Sequence, residues 1–490
     1  MNWISFKFPK SLKSSLVKNS LWGVIANVLQ TVFLSLFFVI MARKFVSADF
    51  AHFLIASTIY QIMVAFSSMG LGQWFIREFD QAINKADFFG KFLKIQTGLG
   101  VLFYALNIAI AFILYPNGQI RWLSIILGSN IIFDNVIYAI KNLNIAEFKQ
   151  KKTFIVLIID GFLRLLLGCL LFLYPFSILT LSVFLIILRF LTLNLFIKVG
   201  SSNNMGLKIV WQSKVVWDDL KKQILLNWQF VVIGSVSIIY WRIANIIISK
   251  MLTLQDVANY EISFRIFSIF MILPVIISAT IYSQFVKYYN SGNVEAQKKL
   301  YQNILIIYTC FAMLSYTFVY SFADVILPFA FGKQYNGAII GLKQMFLTML
   351  IFPTVLLQAN LIVAIKFEKV DMWLNLLSLL LNVGGCFIGL LYFRTLSVIN
   401  YSVFISFLIF HICQNLFLIK KGVTNFKSCL GYYIFLLIII SGYVFVAGRY
   451  NSHVVFSIFF SITAIVLITG FIRYQKDSQP LPDSPKTSLI

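Results

Sequence analysis

The chain has 490 residues, of which 60% are hydrophobic and only 12% charged, and its mean hydropathy is +0.88. Because roughly a quarter of the residues in soluble domains are charged, this composition excludes an ordinary soluble protein. It predicts an all-α, polytopic membrane protein. The formal net charge of +23 is also typical of nucleic-acid-binding proteins, so the positions of the basic residues have to be considered.

Fourteen apolar runs are each long enough to cross roughly 30 Å of hydrocarbon as a helix. Six of them form a first group, at 19–42, 50–72, 92–115, 121–141, 153–174 and 176–198. Eight more follow a polar connector, at 223–249, 258–285, 302–328, 337–365, 370–393, 397–419, 428–448 and 453–473. The first run is too long for a signal-peptide core, so we expect it to be retained as a membrane helix.

These runs divide the chain into two six-helix lobes and two additional helices. The predicted segments are a basic cytoplasmic N-terminus at 1–18, an N-lobe at 19–199, a cytoplasmic connector at 200–222, a C-lobe at 223–420, two further helices at 421–473 and a disordered cytoplasmic tail at 474–490. The tail is rich in proline, serine and charge, a composition typical of disorder.

A hairpin tip occurs twice, 207 positions apart. The segment 39–60 matches 246–267 with five identities: Ile40/Ile247, Asp49/Asp256, Ala51/Ala258, Ile55/Ile262 and Ile59/Ile266. Arg43/Lys250 and Phe53/Tyr260 are alike in kind. Since both copies join two apolar helices, the repeat predicts that the lobes are related halves with pseudo-symmetry.

The basic residues lie mostly on one side of the predicted membrane. If the first helix leaves the cytoplasm, 28 of the 40 Lys and Arg residues are cytoplasmic, 8 are in outer loops and 4 are inside the bilayer. Cytoplasmic loops carry an excess of Lys and Arg, so fourteen spans with both termini in the cytoplasm fit the pattern. The same distribution explains the net charge through orientation and contact with anionic membrane lipids, and nucleic acid is not an expected partner.

The sequence shows no motif typical of an active site or of a cofactor-binding site. The sequence has no glycine-rich phosphate loop, no metal-ligand cluster and no nucleophile with a suitably spaced base, so we expect no cofactor, no metal and no enzyme activity. His411 is expected to be a packed membrane-helix residue. The five cysteines lie in or beside apolar runs and are expected to be buried free thiols.

Charged residues inside the predicted helices are few. A charge at the centre of a membrane helix costs about 2.5–3.5 kcal/mol on insertion scales, so it should face protein or water. Asp160 and Arg164 are four residues apart on the fifth helix, and Glu261 and Arg265 repeat this spacing on the eighth. Each pair can simply neutralise itself and fix the rotation of its helix, or it can serve transport, and the sequence leaves both interpretations open.

Arg189 and Arg242 have no acidic partner on their own predicted helices, which makes them candidates for binding an anionic cargo. Arg242 and Arg265 lie at similar depth in the outer half of the bilayer, while Arg164 and Arg189 lie nearer the middle. Guanidinium groups stay ionised and hold phosphate oxygens in a bidentate manner. The predicted substrate-binding residues are therefore Arg164, Arg189, Arg242 and Arg265.

Asp134 and Asp160 are the two carboxylates well inside the first six helices, at matching depth in the inner half. A group that couples transport to an ion gradient must be able to lose its charge or its partner during the cycle. We expect Asp134 or Asp160 to bind a proton or Na⁺ as the N-lobe moves.

The first two helices, with the turn Asp49-Phe50-Ala51-His52-Phe53 and the exit Gly70-Leu71-Gly72-Gln73-Trp74-Phe75-Ile76-Arg77-Glu78, resemble bacterial polysaccharide export proteins of the Wzx type. Those proteins are O-antigen flippases of the multidrug/oligosaccharidyl-lipid/polysaccharide (MOP) transporter superfamily. Length and helix count extend the resemblance over essentially the whole chain. The usual turn has a glycine before the aromatic residue, where this chain has Asp49.

The resemblance implies two six-helix lobes arranged as a V, followed by two extra helices. It implies that an undecaprenyl-diphosphate-linked oligosaccharide moves from the inner to the outer leaflet of the bacterial inner membrane by alternating access. A H⁺ or Na⁺ gradient would drive the movement, for O-antigen (lipopolysaccharide), capsule or exopolysaccharide synthesis, with a glycan polymerase as a possible partner.

Three alternatives stay open. A peptidoglycan-precursor flippase of the same superfamily also has fourteen helices. A drug exporter of that superfamily typically has twelve, with a carboxylate in the first or seventh, whereas 19–42 and 223–249 contain no Asp or Glu. An integral-membrane glycan polymerase would need a substantial outer loop, and the predicted outer loops are all short.

The charge asymmetry generates a prediction about topology. Reporter domains fused within 200–222 and at the C-terminus should both report the cytoplasm, whereas reporters beside Asn117 or Asn451 should report the outside. Protease protection of the fusions in sealed vesicles measures this, and a C-terminus on the outer side would contradict the fourteen-helix topology.

Overall fold

The computed structural model describes residues 15–200, 213 and 217–477. All regular structure in that part of the chain is helical, with no strand, as the sequence predicts. Residues 1–14 of the predicted N-terminal segment, most of the 200–222 connector and residues 478–490 of the tail lie outside the described residues.

Eight α-helices form the first half: α1 (Ser15–Lys44), α2 (Ser47–Ser67), α3 (Leu71–Phe79), α4 (Lys85–Leu114), α5 (Gly118–Gly128), α6 (Asn130–Ala146), α7 (Gln150–Leu173) and α8 (Ile178–Leu195). Nine follow: α9 (Trp217–Met251), α10 (Leu254–Asn290), α11 (Val294–Phe331), α12 (Ala338–Met349), α13 (Phe352–Ala364), α14 (Glu368–Tyr392), α15 (Leu396–Lys420), α16 (Phe426–Ala447) and α17 (Ser452–Asp477).

The helices occupy all fourteen positions that the sequence predicts for membrane spans. Within the described chain, thirteen segments are long and apolar enough to cross a membrane. The seventh predicted position, 223–249, is covered by the 35-residue helix α9. The prediction of an all-α, polytopic membrane protein is confirmed.

Three predicted spans are interrupted or shortened. The fourth is divided at Ser129 into α5 and α6, and the tenth divides into α12 and α13, with Pro353 in the first turn of α13. Proline has no backbone N–H and its ring clashes with the preceding turn, so the helix restarts there. The second span ends at Ser67 rather than at residue 72, because Gly70 adopts a positive φ of 59° and starts the short amphipathic helix α3.

Glycines let the fifth span lie close to the first. A Cβ on Gly168 of α7 would be 2.8 Å from the Phe37 ring of α1, and one on Gly161 would be 3.4 Å from the Gln30 side chain. Because Gly161 directly follows Asp160, this close packing fixes the rotation of α7 and turns the Asp160–Arg164 face towards the interior of the first half.

The two halves share one apolar cluster, and each has another of its own. The shared cluster combines Phe50 and Ile55 of α2 with Ile247 of α9 and Tyr260 of α10. A second cluster belongs to the first half alone, around Phe75, Phe92 and Leu143, and a third belongs to the second half, around Phe285, Tyr301 and Leu361. In the predicted topology the two separate clusters lie towards the cytoplasm, so among the described residues the apolar contact between the halves lies mainly towards the outer side.

Candidate functional site between the membrane helices

Asp134 is held by side chains from two other helices. It accepts a hydrogen bond from the hydroxyl of Tyr60 on α2 and a second from Nε of Arg189 on α8, at 2.6 Å. Arg189 Nη2 also contacts the same carboxylate. Arg189, which lacks a partner on its own helix, therefore finds one on α6.

Asp160 is the second carboxylate of this half. It accepts from Arg164 Nε at 3.0 Å and from the Thr192 hydroxyl at 2.7 Å, and Arg189 Nη1 lies 3.6 Å from it. Arg189 thus lies between Asp134 and Asp160 and joins both ion pairs into one network. The two carboxylates and the two guanidinium groups have compensating charges, which is what burial among apolar helices requires.

Glu261 in the second half pairs with a helix other than its own. Arg242 Nη1 of α9 lies 2.5 Å from Glu261 Oε1, and both side chains are largely buried, at 17% and 7% exposure. The guanidinium of Arg242 also lies 4.9 Å from the ring centroid of Phe264. The sequence suggested Glu261 and Arg265 as a self-neutralising pair on one helix, but the ion pair in the structure joins α9 to α10.

Arg265 is left without an acidic partner. Its guanidinium lies 4.5 Å from the ring centroid of Phe38 on α1, and it has no hydrogen bond or ion pair with any residue that the structure describes. It lines a cavity of about 660 Å³ between α1, α10 and α11. The other polar residues of that lining are Thr31 and Ser35, and the remaining side chains are apolar.

The sequence repeat assigns an equivalent to this contact. The 207-residue offset matches Phe38 with Asn245 and Thr58 with Arg265. In the structure Asn245 Nδ2 of α9 donates to Thr58 Oγ1 of α2 at 3.1 Å, and both residues are fully buried. The α2–α9 contact is therefore closed by a buried hydrogen bond, whereas its pseudo-symmetric counterpart, α1–α10, borders the cavity.

The four predicted arginines do not form a single site. Arg164 and Arg189 belong to the network of the first half, and Arg242 is bound to Glu261. Arg265 alone among them faces the cavity without a carboxylate contact in the described chain.

Sequence reasoning missed several residues. Tyr60 and Thr192 complete the carboxylate network, and an uncharged residue in an apolar helix gave no sign of that role. Asp371 is a buried carboxylate on α14 that accepts from Asn375 Nδ2 at 3.0 Å, and its Oδ1 has no hydrogen-bond partner in the described chain. Asp371 is the second residue of a predicted span, where a carboxylate is expected to face water, so its burial was not predicted. The spacing of four between Asp371 and Asn375, which allows their contact within one helix, was visible in the sequence.

His411 and the cysteines have structural surroundings. His411 is buried, with ring nitrogens 3.1 Å from Gln358 Nε2 and 2.8 Å from the Tyr433 hydroxyl. All five cysteines are free, but Cys169 is exposed and Cys413 is partly exposed, so the expectation of burial is wrong for these two. Their apolar helices turn these positions outwards. Across the described residues no group of three or more His, Cys, Asp or Glu side chains could hold a metal ion.

Comparison with known proteins identifies a family. A family model described as "Polysaccharide biosynthesis protein" matches residues 40–340, which is more than half of the chain. A search of curated proteins finds no sequence match.

Solved structures share the fold. The lipid II flippase MurJ in an inward closed conformation matches with a TM-score of 0.70 at 15% identity, covering 91% of this chain and 99% of that one. A MATE multidrug-resistance transporter of the MOP superfamily matches with a TM-score of 0.65 at 12% identity in its inward-facing conformation, covering 80% and 94%. An outward-facing MATE transporter matches with 0.58 at 14% identity, covering 84% and 95%. The chain therefore has the MOP-superfamily fold.

The Arg242–Glu261 pair gives a stability prediction. Arg242→Met leaves Glu261 buried without a cation, which costs about 3–5 kcal/mol. We expect a clear fall in the unfolding temperature of the purified protein. The double variant Arg242→Met/Glu261→Leu, which replaces both charges with apolar groups, should recover most of the loss.

Arg265→Met is the matched control, because it removes a guanidinium at similar depth without leaving a carboxylate unpaired. Its unfolding temperature should stay close to that of the unsubstituted chain. Equal destabilisation by Arg242→Met and Arg265→Met would contradict the assigned pairing.

Proposed function

Because this chain belongs to the polysaccharide biosynthesis protein family, we propose that it is a flippase that moves a lipid-linked polysaccharide precursor across the membrane. The proposal rests above all on the cavity of about 660 Å³ that contains Arg265. The family match, the transporter fold and the structure of the cavity support the same class of cargo.

The cavity has the two properties that an anionic lipid needs. Its walls on α1, α10 and α11 are formed mainly by Val, Leu, Ile and Phe, which suit a hydrocarbon chain. Arg265 supplies one positive charge within these walls, and a guanidinium forms charge-assisted, bidentate hydrogen bonds with phosphate. A cavity that combines apolar walls with a single cation therefore favours an amphipathic anion over a sugar alone.

The cargo that fits this chemistry in detail is an undecaprenyl-diphosphate-linked oligosaccharide, carried from the cytoplasmic to the outer leaflet of a bacterial inner membrane. The product would be a repeat unit for O-antigen, capsule or exopolysaccharide, and a glycan polymerase would consume it. A peptidoglycan precursor carries the same diphosphate lipid, so direct analysis of the cargo distinguishes these two substrates.

A drug antiporter is a weaker candidate. Binding a cationic drug calls for an acidic group in the cavity, and the lining of this cavity contains no Asp or Glu among the described residues. The charged residue that does line the cavity, Arg265, is positive and would repel a cationic drug.

Coupling to H⁺ or Na⁺ would use the network of Asp134 and Asp160. Both carboxylates are bound by arginine in this structure, so a proton or cation can bind only when Arg164 or Arg189 moves away. Such competition would tie ion binding to a movement of α7 or α8. Arg164 and Arg189 would then control the coupling carboxylates, while Arg265, together with Arg242 after release from Glu261, would contact the phosphate.

The cargo role of Arg265 is tested by Arg265→Ala. We expect lipid-linked oligosaccharide to accumulate on the cytoplasmic face, with normal amounts of protein in the membrane, because loss of a charge-assisted contact of about 1.5–3 kcal/mol lowers affinity roughly ten- to a hundredfold. Leaflet-resolved analysis of lipid-linked oligosaccharides in a deletion strain measures this.

Ser35→Ala is the control, since it changes the same cavity without removing charge, and it should transport normally. Arg265→Lys separates charge from geometry: partial rescue indicates that charge alone suffices, and poor rescue indicates bidentate binding. Full transport by Arg265→Ala at normal protein levels would exclude Arg265 as the phosphate contact.

The coupling role is tested by Asp160→Asn. We expect this variant to stay in the membrane and to lose gradient-driven transport, because an amide does not titrate and has no negative charge to offer a cation. Uptake driven by an imposed pH or Na⁺ gradient in vesicles is the measurement. Normal gradient-driven transport by Asp160→Asn would show that Asp160 is only the structural partner of Arg164.

A further inference from the structure

Arg43 joins the two halves at their outer ends. It lies at the end of α1, and its guanidinium donates to the backbone carbonyl of Ala330 at 2.7 Å and to that of Phe329. Both carbonyls belong to the last turn of α11, in the other half. The last carbonyls of a helix have no partner within the helix and carry partial negative charge, so a base is favourable there.

Lys250 makes the reciprocal contact. It lies at the end of α9, and the repeat matches it with Arg43. Its ammonium donates to the carbonyl of Leu114, the last residue of α4. α4 and α11 are each the third membrane span of their half. In both halves, therefore, a basic side chain at the end of the first span binds the end of the third span of the opposite half.

Two tyrosines make similar contacts between the halves, each with the residue that precedes the base. The Tyr335 hydroxyl, just after α11, donates to the carbonyl of Ala42 on α1 at 3.1 Å. The Tyr115 hydroxyl, just after α4, lies 2.6 Å from the Ser249 hydroxyl on α9. The repeat matches Ala42 with Ser249, so each base is preceded by a residue that a tyrosine from the opposite half contacts.

We propose that Arg43, Tyr115, Lys250 and Tyr335, here called the outer gate residues, hold the transporter closed on its outer side and must separate for cargo to leave. Their contacts form two pseudo-symmetric pairs, Arg43 with Lys250 and Tyr115 with Tyr335. Each half therefore contributes one base and one tyrosine to the closed outer side. The buried Asn245–Thr58 contact lies deeper in the membrane, and an opening of the gate would expose it to water from outside.

The role of these residues in cargo release rests on the proposed flippase function, but their role in closing the outer side does not. The test therefore measures conformation rather than transport. Absence of transport by the unsubstituted chain would contradict the proposed function, whereas unchanged labelling in the gate variants would contradict the gate.

The experiment uses Thr58→Cys as a reporter in the full-length chain, in sealed membranes of known sidedness. A charged, membrane-impermeant methanethiosulfonate is added on the side of the loops at Asn117 and Asn451. Labelling of the chain without the reporter gives the background from the five native cysteines. Asn245→Cys is a second reporter, in case the first substitution disturbs folding.

Two double variants weaken the gate in different ways. Arg43→Met/Lys250→Met removes both bases, and Tyr115→Phe/Tyr335→Phe removes both hydroxyls while keeping the rings. We expect the labelling rate to rise about three- to thirtyfold for the bases, since each interaction at a helix terminus contributes a factor of a few to the closed population. The tyrosine pair should produce a rise in the same direction.

Arg121→Met is the matched control. Arg121 also binds carbonyls at the end of α4, with Nε 2.6 Å from Tyr115 O and Nη2 3.1 Å from Phe112 O, but it belongs to the same half. Its loss should leave labelling unchanged. Unchanged labelling in both double variants, or an equal rise in Arg121→Met, would overturn the assignment of these four residues as the outer gate.

Discussion

A guanidinium group between apolar membrane helices needs a compensating partner, and this requirement organises the interior of the protein. In the first half, Arg189 stands between Asp134 and Asp160 and ties α8 to α6 and α7. In the second half, the Arg242–Glu261 contact joins α9 to α10. Arg164, Arg189 and Arg242 are thus compensated by carboxylates, whereas Arg265, the fourth arginine of the described membrane helices, has no carboxylate contact in the described chain.

The helices were predictable from the sequence because each apolar run is long enough, as a helix, to cross the hydrocarbon layer of a membrane. The partners of the charged residues were not. Glu261 is four residues from Arg265, a spacing that favours pairing within one helix, yet it binds Arg242 because α9 and α10 pack side by side. Only tertiary packing decides between such partners. The break at Ser129 was equally hidden, since serine is ordinary in a membrane helix.

The repeat carried more information than five identities suggested. Its offset, applied beyond the hairpin tip, relates Phe38 to Asn245, Thr58 to Arg265 and Arg43 to Lys250. The first two relations together describe one pair of reciprocal contacts between the halves, Arg265 with Phe38 and Asn245 with Thr58. The third describes another pair, in which Arg43 and Lys250 each bind a helix-end carbonyl of the opposite half. Arg43 and Lys250 make equivalent contacts, whereas the other pair differs: one contact is a buried hydrogen bond and the other places an arginine beside a cavity.

That difference makes the two sides of the molecule unequal. Two identical halves would border two equivalent cavities. Asn245 and Thr58 instead close the α2–α9 contact with fully buried, neutral side chains, which carry no charge to attract an anion. Two positions in each repeat thus decide which of the two equivalent contacts carries a fixed positive charge beside an apolar cavity.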